Sequence, residues 1–312
     1  MGLLQNTMNG LKYKHWAYSE AFAYFLKGVA RELKIAPSFF LDYYTNVVCN
    51  NFKKKWLKKN ENEDYYFDIN GAKLPDISAD KNIFLPLTNL IFEDIFLISY
   101  YYNDNYDKTI VKKLDQYLTD GPYGYKDGVF DVTVQKDDVV IDAGAWIGDF
   151  SAYAVSKGAT AYAFEPVEEI FSILCKTTDL NNGKIIPVKK GLSSKSGEIN
   201  IWKDQQGGIG NSLIIKDNEE MVEERIDILT LDEFVEDNNL KRVDFIKADI
   251  EGAEREMLKG SKSVLKTFAP KLAICTYHLP DDPQVLEKII LEANPNYKIV
   301  QLRNKLFAAV VK

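Results

Sequence analysis

The residues best placed to do chemistry are four acids and a histidine that follow predicted buried strands. They are Asp142, Glu165, Asp249, Glu251 and His278. Carboxylates and an imidazole can take up protons, bind ammonium groups and accept hydrogen bonds from hydroxyls. Because the carboxyl ends of parallel strands meet at one edge of a sheet, we expect these side chains to face a common ligand site.

The first motif is the stretch 139–148, VVIDAGAWIG, which predicts a buried strand, a tight turn and a helix N-terminus. Gly144, Ala145 and Gly148 would let the backbone and its unpaired N–H groups approach a ligand closely. The dinucleotide fingerprint G-x-G-x-x-G is absent, and an acid, Asp142, opens the motif instead. A carboxylate there repels a pyrophosphate and suits a ligand with an ammonium group, such as S-adenosylmethionine. The alternative is a strand-turn-helix joint without a ligand.

The second motif places Glu165 at the end of the next predicted strand, about 20 residues after the first. An acid at this position accepts hydrogen bonds from the two hydroxyls of a ribose. Sites for NAD and for S-adenosylmethionine both use such an acid, so Glu165 does not separate them. The alternative is a surface acid at a strand end.

The third motif, IKADIEGAE over 246–254, delivers Asp249 and Glu251 to the same edge. Asp249 could bind the amine of the methionine part of the cofactor or take a proton from an acceptor hydroxyl. Two acids at i and i+2 could also hold Mg²⁺. The sequence shows no clear further ligand, so we expect no metal.

The fourth motif, CTYHLPDD over 275–282, ends a predicted strand with His278. A histidine at the ligand edge of a sheet can act as the general base for an alcohol. The alternative is a histidine that only forms hydrogen bonds with the loop backbone. We expect His278 and Glu251 to contact the methyl acceptor.

The elements that must position these residues alternate between strand and helix from residue 129 onward. Strands are predicted over 139–142, 160–165, 185–190, 243–248, 271–277, 297–302 and 306–311, and helices near 150–157, 168–180, 253–265 and 283–292. This alternation predicts an α/β fold with a parallel sheet. Residues 303–305 are too few for a crossover, so the final strand should insert antiparallel. Two further strands are predicted over 197–202 and 224–229.

The chain before the sheet is predicted to be mainly helical over 1–120, with the sheet domain over 121–312. A helix is expected before Pro37, another from Pro37 to about residue 59 and a third over 88–102. Asn70-Gly71 predicts a hairpin within 65–74. This region could cover the acceptor site or form a contact between copies of the chain.

Composition narrows the class of protein. The chain has 312 residues, 46% of them hydrophobic, and a net charge of −7, which does not favour a nucleic-acid partner. The three cysteines form no CxxC pair, and no signal peptide is visible, so a cytoplasmic location is expected. The most apolar window, 83–102, contains Pro86, Glu93 and Asp94 and predicts a buried helix rather than a membrane span.

Three stretches together resemble the FkbM family of S-adenosylmethionine-dependent methyltransferases. They are VVIDAGAWIGDFSAYAVSKGATAYAFEP, FIKADIEGAEREMLKG and LAICTYHLPDD, within a resemblance that covers about 121–312. It implies a class I methyltransferase fold, with a Rossmann-like seven-stranded sheet and an antiparallel last strand. It also implies O-methylation of a sugar or natural product, so the expected partner is a small-molecule or glycan acceptor.

The resemblance also implies a role for each matching position. Asp142, Gly144 and Gly148 would line the methionine side of the cofactor, and Glu165 would bind its ribose. Leu192 would border the adenine. Asp249, Glu251 and His278 would face the acceptor.

Two other functions fit parts of the sequence. One is an NAD-linked oxidoreductase, which the missing fingerprint and the terminal hairpin disfavour. The other is a module that binds S-adenosylmethionine without catalysis and docks a partner through its N-terminal helices.

Overall fold

The computed structural model describes residues 38–80, 83–84, 87, 123–127, 130–204, 221–302 and 304–311. The chain divides into two compact units. The first comprises Met1–Phe67 and Asp76–Thr119, and the second comprises Asp68–Pro75 and Asp120–Lys312. The helices predicted before Pro37 and over 88–102 lie outside the described residues.

The second unit is built on a seven-stranded sheet. Its strands are β6 (Val139–Ala143), β7 (Thr160–Phe164), β8 (Ile185–Val188), β12 (Phe245–Ala248), β13 (Lys271–Cys275), β14 (Tyr297–Leu302) and β15 (Lys305–Val310). Their order in the sheet is β14-β15-β13-β12-β6-β7-β8. The pairs from β13 to β8 are parallel, whereas β15 runs antiparallel between β13 and β14. The predicted seven-stranded α/β sheet with an antiparallel last strand is confirmed.

Helices cover both faces of this sheet. They are α2 (Asp149–Ser156), α3 (Glu168–Leu180), α4 (Leu231–Asp237), α5 (Glu254–Lys259), α6 (Lys262–Thr267) and α7 (Asp282–Ala293). Alternate residues of a strand point to opposite faces. Ile141 therefore packs in a core cluster with residues of α4 to α7, and its neighbour Val140 packs in another with Phe150 of α2. The central strands are apolar on both faces because both faces are covered.

The region predicted as one helix over 253–265 is two short helices, α5 and α6. The break lies at Gly260, where a Cβ atom would meet the carbonyl oxygen of Ser193 at 2.0 Å. Ser261 then donates its hydroxyl to the carbonyl of Met257. Close contact with a neighbouring segment therefore ends the helix, which the apolar spacing alone did not reveal.

Short strands complete the second unit. β4 (Tyr125–Lys126) pairs with β5 (Asp131–Val132), and β9 (Gly191–Leu192) pairs with β11 (Met221–Leu229), which also pairs with β10 (Gly197–Asp204). The two predicted extra strands are thus present and longer than predicted. Strand β3 (Ala72–Pro75) follows a turn in which Asn70 and Gly71 both have positive φ, as a hairpin turn of this type requires.

The described part of the first unit contains both helix and strand. Helix α1 (Ser38–Trp56) is followed by β1 (Leu57–Lys59), which pairs antiparallel with β2 (Tyr65–Ile69). The helix predicted to reach residue 59 therefore ends at Trp56, because the next residues join a sheet. Phe52, Phe67 and Phe84 pack their rings together. Among the described residues, none of the helices is both long and apolar enough to cross a bilayer.

Two glycines allow a matched test of how tightly the first motif is packed. Gly144 and Gly183 have similar positive φ values, 72° and 68°, but a Cβ atom on Gly144 would lie 2.0 Å from the carbonyl oxygen of Asp249, whereas one on Gly183 would meet nothing within 4 Å. Gly183→Ala should cost only backbone strain, about 1–2 kcal/mol of unfolding free energy. Gly144→Ala should cost at least about 2 kcal/mol more, because the backbone at Asp249 must move. Urea denaturation of both variants measures the difference, and equal losses would show that the contact is unimportant.

Candidate active site

A buried ion pair lies at the centre of the sheet, near the edge where the parallel strands have their carboxyl ends. Lys247 of β12 and Asp142 of β6 face each other in register, and the Lys247 Nζ lies 3.1 Å from the Asp142 Oδ1. The side chains are 5% and 0% exposed, so both charges are removed from water. The other carboxylate oxygen of Asp142 accepts a hydrogen bond of 2.6 Å from the Ser151 hydroxyl. The ammonium group beside Asp142 in this structure therefore belongs to the chain itself.

Lys247 also fixes the backbone of the turn. Its Nζ donates to the carbonyl oxygens of Gly144 at 2.6 Å and Ala143 at 3.3 Å. Burial opposes the charge, but the carboxylates of Asp142 and Asp249 outweigh it and raise the pKa of Lys247 to about 12. Lys247 is therefore a permanent cation beneath the site.

The small residues of the first motif have contacts within the protein. The backbone N–H groups of Gly144 and Ala145 donate to the carbonyl oxygen of Phe164. Gly148 is the N-cap of α2 at a φ of 85°, where a Cβ atom would meet the Leu174 side chain at 2.7 Å. Backbone packing at 144 and the positive φ at 148 therefore favour glycine at both positions without a ligand. The cofactor contacts predicted for Gly144, Ala145 and Gly148 stay predictions.

Glu165 follows the end of β7, next to the turn. Its carboxylate oxygens accept hydrogen bonds from the backbone N–H groups of Trp146, at 3.1 Å, and Val167, at 3.0 Å. The side chain is nearly buried, and burial raises the pKa of Glu165 to about 7 despite these two donors. Each carboxylate oxygen has a second lone pair that can accept a hydrogen bond from a ligand hydroxyl.

Trp146 lies beside Glu165 in a backbone conformation that is uncommon outside glycine, with a φ of 48°. Its buried indole Nε1 has no hydrogen-bond partner among the described residues. A buried donor of this kind is costly unless a ligand or water accepts from it. Trp146 had no predicted role.

Leu192, predicted to border an adenine, lies in the short strand β9. It is 3% exposed and belongs to the same core cluster as Phe164 and Phe234. Its predicted contact with the cofactor stays a prediction.

Asp249 follows the end of β12 and is held by two phenols. The hydroxyl of Tyr123 donates to Oδ2 at 2.7 Å, and the hydroxyl of Tyr277 donates to Oδ1 at 3.0 Å. Burial raises the pKa of both phenols, so they remain donors. Burial also opposes ionisation of Asp249, but the charge of Lys247 and the Tyr123 hydrogen bond outweigh it and lower the pKa of this carboxyl. Asp249 is therefore an ionised carboxylate.

The turn after Asp249 is organised by Glu254. The buried carboxylate of Glu254 accepts hydrogen bonds from the backbone N–H groups of Ile250, at 2.8 Å, and Gly252, at 3.0 Å. Glu251, between them, has a positive φ of 53°. A non-glycine residue rarely adopts this conformation without support from its surroundings. Glu254 thus has a structural role, because it holds the turn that precedes its own helix.

His278 lies among three carboxylates from this turn. Its Nε2 is 3.2 Å from the Glu251 Oε2 and 3.6 Å from the Asp249 Oδ1, and its Nδ1 is 3.1 Å from the Glu254 Oε1. Burial opposes a charged imidazole, but the carboxylates outweigh it and raise the pKa of His278 to about 10. An imidazole that is already protonated at neutral pH cannot take a proton from an alcohol. This environment favours Asp249 over His278 as the proton acceptor.

The structure thus places the predicted acids and the histidine at the carboxyl ends of neighbouring strands. Sequence reasoning gave no role to Lys247, Tyr123 or Tyr277. A signal existed for Lys247, which is the one charged residue inside the apolar strand Phe245–Ala248. Its partner Asp142 was visible, but their register was not.

The ion pair generates a prediction about stability. Lys247→Met leaves the buried carboxylate of Asp142 without a counter-charge, so unfolding free energy should fall by about 3–5 kcal/mol. Asp142→Asn leaves the ammonium group unpaired in the same way. Because the double variant removes both charges, it should lose clearly less than the sum of the single losses. A double-mutant cycle from urea denaturation measures this, and additive losses would show that the two charges are not coupled.

A family model describes more than half of this chain. The model for the methyltransferase FkbM domain matches residues 142–306. The match begins at the acid of the first motif and extends into the final strand. It includes Glu165, Asp249 and His278.

Two curated relatives share this region. The chain is 30% identical over 168 residues to the hexuronic acid methyltransferase AglP of Haloferax volcanii, covering 54% of this chain and 67% of that protein. It is 30% identical over 156 residues to methyltransferase 1 of Beauveria bassiana, covering 43% of this chain and 63% of that protein. The chain thus spans about two thirds of the length of each relative.

A solved structure of a methyltransferase FkbM from Methylobacillus flagellatus is also similar, with a TM-score of 0.44 and 21% identity. The similarity covers 74% of this chain and 60% of that one. With a family model that matches over half of its residues, the chain belongs to the FkbM family of methyltransferases.

Proposed function

We propose that this protein transfers a methyl group from S-adenosylmethionine to a hydroxyl group of a sugar or related natural product. The observation that carries the proposal is the contact between two motifs. Gly144 of the strand-turn-helix motif lies against the backbone of Asp249, whose carboxylate neighbours His278. A donor bound at the turn would therefore lie next to a proton acceptor.

The donor side would use Glu165 and the turn at 144–148. The Glu165 carboxylate would accept hydrogen bonds from the ribose hydroxyls, and the Trp146 indole N–H would have an acceptor in the ligand. Asp142 would act on this side through Lys247, which fixes the carbonyl of Gly144. The backbone at Gly144, Ala145 and Gly148, together with Leu192, would line the rest of the cofactor.

The acceptor side would use Asp249, Glu251 and His278. The relative from Haloferax volcanii is named for a hexuronic acid, which supports a sugar as the acceptor class. The methyl sulfonium is reactive by itself, so the protein mainly has to align the hydroxyl oxygen with the methyl carbon. The new O–C bond forms as the S–C bond breaks, and the hydroxyl proton passes to the ionised Asp249.

The unit that contains Asp120–Lys312 carries all of these residues. We propose 121–312 as the catalytic domain and 1–120 as a region that covers the acceptor or contacts another copy of the chain. S-adenosylhomocysteine, the product, is the convenient probe for the donor site.

The pKa of Glu165 generates a pH prediction. Burial raises this pKa to about 7, and ribose hydroxyls donate to the ionised form, so binding should favour the carboxylate. Affinity for S-adenosylhomocysteine should therefore rise roughly tenfold per pH unit below 7 and level off above it. In Glu165→Gln the affinity should be weaker above pH 7 and independent of pH. Isothermal titration calorimetry between pH 5.5 and 8.5 measures both effects.

The control for this series is Glu236→Gln, which makes the same chemical change at an exposed position of α4. It should bind like the wild type at every pH. A Glu165→Gln variant with unchanged affinity and unchanged pH dependence would remove Glu165 from the ribose site.

The role of Asp249 is tested by turnover. Labelled S-adenosylmethionine is incubated with a panel of hexuronic acids, neutral sugars and hydroxylated natural products, and methylated products are identified by mass spectrometry. With a methylated acceptor, Asp249→Asn should lower kcat by about 10²–10⁴-fold, because the proton acceptor is lost. Asp237→Asn, an exposed control, should leave kcat unchanged. Wild-type turnover in Asp249→Asn would exclude it as the base, and no transfer to any acceptor would count against the proposed reaction.

A further inference from the structure

The carboxylates around His278 form a compact group of potential metal ligands. One oxygen of Asp249, one oxygen of Glu254 and one nitrogen of His278 all lie within 4.8 Å of one another. We propose that these three side chains bind a divalent metal ion, with Glu251 within reach as a further ligand. The sequence predicted no metal here, because only the two acids at i and i+2 were visible as ligands.

The imidazole supplies an independent reason to expect an ion. The His278 side chain is 6% exposed, and neither ring nitrogen has a hydrogen-bond partner among the described residues. Buried side-chain nitrogens are normally satisfied, so a nitrogen aimed into a cluster of carboxylates requires an explanation. A metal ion would displace a ring proton of His278, because it binds the neutral form of an imidazole nitrogen.

The distances around the imidazole also match those between neighbouring ligands of one ion. Oxygens of Glu251 and Glu254 lie 3.2 Å and 3.1 Å from the two nitrogens, within ion-pair distance, yet neither contact has the geometry of a hydrogen bond. Neighbouring ligands of one ion are arranged in this way. With metal–ligand bonds of about 2.1 Å at about 90°, two donor atoms lie about 3 Å apart and neither points at the other.

The ligands are held in place by contacts that leave lone pairs for an ion. The two oxygens of Glu254 each accept one backbone N–H group, and Tyr123 and Tyr277 each donate to one oxygen of Asp249. Each carboxylate oxygen retains a second lone pair. Such supporting hydrogen bonds fix the orientation of ligands and strengthen metal binding.

The donor set indicates the class of ion. Carboxylate oxygens suit Mg²⁺ and Mn²⁺, and an imidazole nitrogen suits first-row transition metals. One imidazole with two or three carboxylates therefore favours a first-row divalent ion, and Mn²⁺ is the probe because its spectrum reports a nitrogen ligand.

The role of the ion rests on the proposed function. An ion at this position would bind oxygens of the acceptor and lower the pKa of the hydroxyl to be methylated. The bonds that form and break in the methyl transfer are the same with the ion as without it. The O–C bond forms, the S–C bond breaks, and the hydroxyl proton passes to a carboxylate of the cluster. The ion leaves the donor chemistry unchanged.

The test measures Mn²⁺ binding to the full chain without cofactor or acceptor. Protein treated with EDTA and then dialysed is titrated with Mn²⁺, and the free ion is measured by electron paramagnetic resonance. The wild type should bind one Mn²⁺ per chain, and its pulsed spectrum should show coupling to an imidazole ¹⁴N. His278→Ala should lose this coupling and bind at least about tenfold more weakly.

A matched pair of variants locates the site. Glu254→Gln should weaken Mn²⁺ binding at least about tenfold, whereas Glu256→Gln should bind like the wild type. Glu256 lies in the same helix, where its carboxylate accepts hydrogen bonds from Ser194 and Lys259 outside the cluster. Circular dichroism shows whether each variant is folded. If Glu254→Gln does not fold, the titration of the wild type still decides whether the protein binds Mn²⁺.

The outcomes separate this proposal from the proposed function. The metal site is overturned if all added Mn²⁺ stays free in the presence of wild-type protein, or if the bound Mn²⁺ shows no ¹⁴N coupling. In either case the cluster is held together by a protonated His278. Mn²⁺ bound with ¹⁴N coupling supports the metal site whether or not methyl transfer is detected. If methyl transfer continues in excess EDTA, the ion has no role in the reaction, but the metal site itself is not overturned.

Discussion

The ligand edge of the sheet depends on one buried ammonium group. Lys247 joins the two central strands, β12 and β6, through the Asp142 carboxylate and the carbonyl oxygens of Ala143 and Gly144. A charge in this position is tolerated only because a full set of partners replaces water. The strand ends, the turn after β6 and the position of Asp249 are therefore coupled to the same contact. The charge also favours the ionised form of Asp249.

The pKa values of two carboxyl groups near this ammonium are shifted in opposite directions, which supports the different roles proposed for them. Burial dominates at Glu165 and raises its pKa to about 7, while Lys247 and the Tyr123 phenol lower the pKa of Asp249 despite its burial. When environments separate the pKa values of neighbouring acids, the acids usually do different work. The acid with the raised pKa lies at the turn, where the proposed function places the ribose hydroxyls. In the proposed reaction, the ionised acid takes the proton of the acceptor hydroxyl.

The sequence was sufficient for the order of the elements but not for contacts between distant segments. Apolar runs and a three-residue connection predicted the seven strands and the antiparallel last strand, because these depend on local periodicity and chain length. The break at Gly260 was missed because it depends on the approach of Ser193. The pairing of Lys247 with Asp142 was missed because strand register cannot be read from either strand alone.

The histidine shows the same limit for the site. The sequence predicted that His278 follows a strand at the carboxyl edge of the sheet, which the structure confirms, and left open whether it acts as a general base. The charged groups around His278 could not be predicted, because they depend on the turn whose backbone Glu254 holds. That turn brings three carboxylates close to the imidazole. Three negative charges against one imidazole leave an excess of negative charge where the proposed function places the acceptor. An anionic sugar would be repelled by that excess, whereas a divalent ion would offset it and bind the sugar's own oxygens. The charge of the acceptor therefore depends on whether the cluster binds an ion. With the ion bound, the site can accept an acidic sugar. Without the ion, the site should favour a neutral or cationic acceptor.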